Sequence, residues 1–128
     1  MKNPYQQAVS QYKAIELETQ VENASPHQLV NMLFQGARTN IAAAQGFISH
    51  QRIQEKCESI TKAINIIDGL RTSLDHEQGG EIAGNLDRLY EYIQEILLKA
   101  NLHNDSALLD EANALIAEIH QAWQQIQV

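Results

Sequence analysis

The chain has little of what cross-links, bends or strongly charges other small proteins. A single cysteine, Cys57, excludes an internal disulfide, so packing alone must hold the fold. Two prolines and six glycines in 128 residues leave long stretches uninterrupted. Aromatic residues make up only 5% of the chain, and its apolar positions are mostly Leu, Ile and Ala, which suits packed helices better than sheets. Nine basic residues stand against sixteen acidic ones, for a net charge of -7. Nothing like a basic stripe could neutralise phosphates, which argues against nucleic acid, and anionic membrane surfaces are disfavoured for the same reason. No apolar run approaches the roughly 20 residues of a membrane span, so no membrane insertion is expected. Met1-Lys2-Asn3-Pro4 leads into a polar, Gln-rich stretch and not an apolar leader. A cytoplasmic location is the default expectation.

Catalytic constellations are missing too. A di-iron bundle needs Glu-x-x-His pairs, so that carboxylate and imidazole project one turn apart into the core. No acid here stands three residues before a histidine. His27, His50, His76 and His103 fall at expected helix ends or turns, His120 falls inside a helix, and all five are expected to face solvent. Gly79-Gly80-Glu81-Ile82-Ala83-Gly84 lacks the Lys-Ser/Thr of a phosphate loop and reads as a helix-ending turn. Gly84 then falls inside a helix, where it marks a close backbone approach or is simply tolerated. Cys57 sits among isoleucines, with no neighbouring base to activate it, and is expected to be buried. The expectation is no enzyme, no metal and no cofactor.

What is present is helical periodicity. Ser25-Pro26-His27-Gln28 carries a capping serine, a proline where a missing N–H costs nothing, and a glutamine able to close the capping box. A first long helix follows from about Pro26 to about Ser49, with Val30, Leu33, Ala37, Ile41, Ala44 and Ile48 inward. A second, from about Arg52 to Leu74, turns Ile53, Cys57, Ile60, Ile64, Ile67 and Leu74 inward. After a connection at residues 75–80, a third runs from about Glu81 to about Ala100 with Ile82, Leu86, Leu89, Ile93, Leu97 and Ala100 inward. Asp105 can cap the fourth, whose stripe is Leu108, Ala112, Leu115, Ile119, Trp123 and Ile126. Alternating steps of three and four give near-parallel packing, and the short connections force neighbours antiparallel. The expected fold is all-α: an antiparallel, up-down-up-down four-helix bundle over residues 25–128.

Residues 1–24 read as a separate arm and linker. Asn3-Pro4 opens a short amphipathic helix, with Tyr5, Ala8, Tyr12 and Ile15 on one face and Val9 beside them. Four stripes already make a core, so a fifth must dock outside it. Second stripes are available for this: Leu29, Met32, Gly36 and Ala43 on the first long helix, Ile66 on the second and Tyr92 on the third. Small residues at helical spacing make a shallow groove. Tyr5, Val9 and Tyr12 are therefore candidates for a replaceable lid, and Met32, Gly36 and Ala43 for the groove beneath it. The alternative is an arm that merely caps the bundle.

Several ordered fragments carry a family resemblance. They are Asn3-Pro4-Tyr5, residues 21–26, Leu29-Val30 with residues 32–37, residues 73–83, Asn85-Leu86 and residues 89–92, then Ala100-Asn101, Asn104-Asp105, residues 109–111 and Ala122-Trp123. In this order and spacing the chain closely resembles the FliS family of bacterial flagellin export chaperones. The resemblance implies a helical bundle that binds the C-terminal segment of flagellin in the cytoplasm, prevents premature polymerisation and delivers its client to the flagellar type III export apparatus. It also implies an N-terminal arm that lies over part of the client-binding surface and moves when flagellin binds. From residues alone, a helical adaptor for an amphipathic segment of another client remains the alternative.

Overall fold

The helix start expected at Ser25 is realised atom by atom in the computed structural model, which describes residues 23–126. Gln28 N donates to Ser25 Oγ at 3.2 Å and Ser25 N donates to Gln28 Oε1 at 2.8 Å, closing the capping box with Pro26 in the first turn. Helix α1 then runs over Pro26–Ser49. The chain turns through Gln51, whose φ of 59° is left-handed, into α2 over Ile53–Thr72. Helix α3 spans His76–His103 and α4 spans Ser106–Gln124. Asn104, with φ 52° and ψ 44°, ends α3, and Asp105 caps α4 by accepting from Ala107 N at 3.0 Å and Leu108 N at 3.3 Å. No strand occurs among the described residues.

Helix α1 packs on α2 and α4, α2 on α3, and α3 on α4, so the helices close a ring in chain order. This is the expected up-down-up-down bundle. Its core is aliphatic: Leu33, Ile41, Ile60, Ile67, Ile93, Leu97, Leu109 and Ile116 are among its fully buried members. Each contributes about 1.5–3 kcal/mol relative to exposure, which outweighs any single propensity.

The inward faces differ from the expected stripes in a consistent way. On α4 the deepest residues are Leu109, Ala112, Ile116 and His120, while Leu108, Leu115, Ile119 and Trp123 flank them half-buried. Ile126 lies beyond the helix end and is exposed. On α2, Ile53 is exposed and Cys57 only half-buried, whereas Lys56 is buried. The Lys56 stem packs inward while its ammonium donates to Asn101 O at 2.8 Å, at the negative end of α3. A two-letter apolar/polar pattern reads that position as outward, because it cannot see a carbonyl waiting across the seam. Helix α1 buries a wider face than one stripe, taking Leu29, Phe34 and Gly36 inward. Ile66 of α2 joins the core as well.

Within the segment read as a turn at residues 75–80, residues 76–79 are already helical. Asp75 caps it, accepting from Glu77 N at 3.1 Å and Gln78 N at 3.0 Å, and Gly80 (φ 50°, ψ −123°) kinks the chain within α3. Ile82, expected inward, emerges from the kink 72% exposed. Past it, Arg71 of α2 fixes the α2–α3 seam, donating to Asp87 Oδ1 at 2.9 Å, Glu91 Oε2 at 3.1 Å and Gln94 Oε1 at 2.9 Å on one face of α3.

Candidate functional site

Three features of the bundle surface offer binding chemistry. The first is the outer face of α3. Leu98 and Leu102 stand one turn apart at 57% and 78% exposure, with Tyr92 exposed further along the same helix and Ile82 beyond it. Tyr92 Oη donates to Glu111 on α4, which holds the ring against the α3–α4 seam and raises its pKa, through that hydrogen bond first and the nearby carboxylate charge second. Large apolar side chains left in water along one helix are the raw material of a helix-binding surface.

The second is a cavity of about 180 Å³ at the pole where α1 begins and α4 ends. All four helices contribute: Phe34 from α1, Leu70 from α2 with Leu74 just past its end, Leu86 and Tyr90 from α3, and Ile119 and Trp123 from α4. Its wall is almost wholly apolar, with Ser73, whose hydroxyl donates to Gly69 O, and Tyr90 as the hydroxyl-bearing members, so it suits an uncharged side chain.

The third is the α1–α4 seam beside that cavity, where two histidines expected to face solvent are instead engaged. His27 and Trp123 stack with centroids 4.8 Å apart. His27 Nε2 donates to Trp123 O at 2.9 Å, and Trp123 Nε1 donates back to His27 O at 3.1 Å. One turn deeper, His120 is only 3% exposed and stacks on Phe34 at 5.3 Å. Its Nε2 lies 2.7 Å from Asn31 Oδ1 and its Nδ1 lies 3.3 Å from Arg38 Nη1. Burial, and secondarily the Arg38 charge, pushes the His120 pKa below its ordinary value. Further along, Gln45 Nε2 donates to Asp110 Oδ1 at 2.7 Å.

The residues singled out from the sequence fare unevenly. Met32 and Ala43 are half-buried on α1, and Gly36 is buried. Leu29 and Ile66, placed on the outer second stripes, belong to the core instead, because each helix buries more than a single row of side chains. Tyr92 is outward as expected. Tyr5, Val9 and Tyr12 lie outside the described residues. The outward pair Leu98 and Leu102 was missed, although its signal was legible: two apolar residues four apart, off the inward stripe.

Gly84, with both readings open, has no tight neighbour: a Cβ there would meet Arg88 Nη1 at an ordinary 3.9 Å. Among the described residues, no three His, Cys, Asp or Glu side chains cluster as a metal site would require. No described helix is long and apolar enough to cross a membrane.

Comparison with known proteins agrees in one direction. The family model described as flagellar protein FliS matches residues 8–128. The flagellar secretion chaperone FliSB of Pseudomonas aeruginosa is 49% identical over 116 residues, covering 91% of this chain and 92% of the relative. The flagellar secretion chaperone FliS of Salmonella typhimurium is 45% identical over 119 residues, 92% of this chain and 88% of its own. That of Bacillus subtilis is 30% identical over 108 residues, covering 84% and 80%. A match of this extent, over a bundle of the expected topology, places the chain in the FliS family of flagellar proteins.

Proposed function

We propose that this chain is a cytoplasmic chaperone that holds the C-terminal segment of flagellin, prevents its premature polymerisation and assists its transfer to the flagellar type III export apparatus. The match over residues 8–128 to a family with relatives named as flagellar secretion chaperones carries the reading. The exposed leucines of α3 supply a physical means for it. A filament subunit keeps its terminal segments apolar and unpaired until assembly, and a chaperone masks them by lending substitute helix surfaces. Ordering such a segment costs on the order of 2–5 kcal/mol, which calls for an extensive contact of roughly 1,000–3,000 Å². One groove is too small for that, so the client wraps several faces, Leu98 and Leu102 among them. The work is done by occupancy and needs no catalytic group.

Residues 1–24 form the arm in this proposal and residues 25–128 the bundle. Tyr5, Val9 and Tyr12 make a releasable lid, and Met32, Gly36 and Ala43 belong to the surface it shares with the client. A docked lid lowers apparent affinity by the fraction of time it is undocked. Co-purification with full-length flagellin and with flagellin lacking its C-terminal segment tests the reading. Capture of the full-length client and loss of the truncated one is expected; equal capture would instead favour an adaptor for another amphipathic segment. Deleting the residues before Val21 should leave a folded bundle that binds the client more tightly, and an unfolded product would make the arm structural.

A further inference from the structure

The seam between the first and last helices contains a buried histidine whose protonation state can be read from its partners. Arg38 has only donors, so Nδ1 of His120, 3.3 Å from Arg38 Nη1, must offer its lone pair. The ring proton therefore sits on Nε2 and is donated to Asn31 Oδ1 at 2.7 Å. This neutral tautomer is the one form that satisfies both partners. A second proton would set Nδ1–H against a guanidinium N–H, bringing together two positive charges of which one cannot be titrated away.

We propose that the α1–α4 seam is a proton-sensitive latch: neutral His120 bridges Asn31 and Arg38 and holds α4 against α1, and a proton on Nδ1 breaks the bridge. Among the described residues, the surroundings leave that proton uncompensated. On α1, Arg38 is the charge beside the ring, while His27, nearer the helix start, is engaged with Trp123. On α4 itself Glu118 is exposed. Helix α3 packs on α4, with Tyr92 meeting Glu111, and its Leu86 and Tyr90 share the cavity wall with Ile119 and Trp123 beside His120. On that stretch of α3 Glu81 and Arg88 are exposed, Asp87 is held by Arg71 of α2, and the titratable Tyr90 is buried. Because Ile119 and Trp123 flank His120 on α4 and wall the apolar cavity, a released latch opens that cavity.

The linkage sign follows from the direction of the shift. Burial and Arg38 depress the folded-state pKa, so the unfolded or detached state takes up the proton first as pH falls below the ordinary histidine value of about 6.5. Stability of the seam is full above that value and declines as pH falls toward the folded pKa, by about tenfold in the closed-to-open ratio per pH unit.

The test uses the full chain: imidazole titration by NMR, and amide exchange protection of α4 relative to α2, corrected for intrinsic rates, at about pH 7.5 and about pH 5. The wild type should lose α4 protection at the lower pH, by up to about thirtyfold, the ceiling set by tenfold per unit over the about 1.5 pH units below the ordinary histidine value. H120Q, whose amide can accept from Arg38 and donate to Asn31 without titrating, should lose none. R38M, which retains His120, should raise its titration midpoint and shrink the loss, and keeps the test decisive if H120Q fails to fold. Unchanged α4 protection in the wild type, an equal loss in H120Q, or an unmoved midpoint in R38M would overturn the latch.

Discussion

Two glycines four residues apart in α3 should respond to the same substitution with opposite signs. Gly80 sits at φ 50° and ψ −123°, a conformation that L-residues seldom adopt, and a Cβ there would meet nothing within 4 Å. The whole cost of Gly80→Ala is therefore backbone strain, about 1–3 kcal/mol. Gly84 is within the helix, and its added Cβ meets Arg88 Nη1 at 3.9 Å, an ordinary contact. Gly84→Ala should stabilise by about 0.8–1.0 kcal/mol, the difference in helix propensity. For a chain of this length about 1 kcal/mol moves the melting midpoint by roughly 3–4 °C. Thermal melts followed by far-UV circular dichroism should thus show Gly80→Ala lower by roughly 3–12 °C and Gly84→Ala higher by roughly 3–4 °C. If Gly80→Ala melted at or above the wild type, the helix would run straight through this position, and the kink that turns Ile82 outward would be refuted. If Gly84→Ala were destabilised, a close approach unseen here would have to exist.

Other perturbations test the caps and seams. Asp105→Ala removes the acceptor for Ala107 N and Leu108 N and should cost about 0.5–2 kcal/mol by urea denaturation. Trp123→Phe keeps a ring beside His27 but loses the donor to His27 O, for a cost of about 1 kcal/mol in the same assay. The Asp87 carboxyl is held below its ordinary pKa, first by the Arg71 hydrogen bond and also by the Arg71 charge. Its contribution is present above the unfolded-state value and is lost as pH falls through the depressed folded value. Arg71→Met should therefore flatten the acid limb of urea midpoints measured below about pH 4, and an unaltered limb would show the pair to be energetically silent.

The two long seams are closed by different chemistry. Between α2 and α3 most links are charged, Arg71 with its acids and Lys56 on the Asn101 carbonyl, beside a neutral one from Gln94 Nε2 to Ile64 O. Between α1 and α4 they include rings and amides, His27 on Trp123, His120 between Asn31 and Arg38, and Gln45 on Asp110. Salt should weaken the first seam more than the second, whereas protons should act on the second through His120.

Taken alone, the sequence determined the helices and their order. Ser25 and Asp105 announce two of the helix starts because a cap acts within one turn of chain, and steps of three and four at Leu33, Ala37 and Ile41 announce a buried face because helix geometry is local. Short connections then left one practical topology. Tertiary structure decided which side chain at each level goes deepest: Ile116 and His120 in place of Leu115 and Ile119, Lys56 in place of Ile53, Leu29 and Ile66 inward, Leu98 and Leu102 outward. A rotation of a helix by a fraction of a turn separates these outcomes, and that rotation is set by partners far along the chain. Asn31 and Arg38 make a buried imidazole acceptable, as the Asn101 carbonyl does a buried ammonium, and no local pattern records such partners.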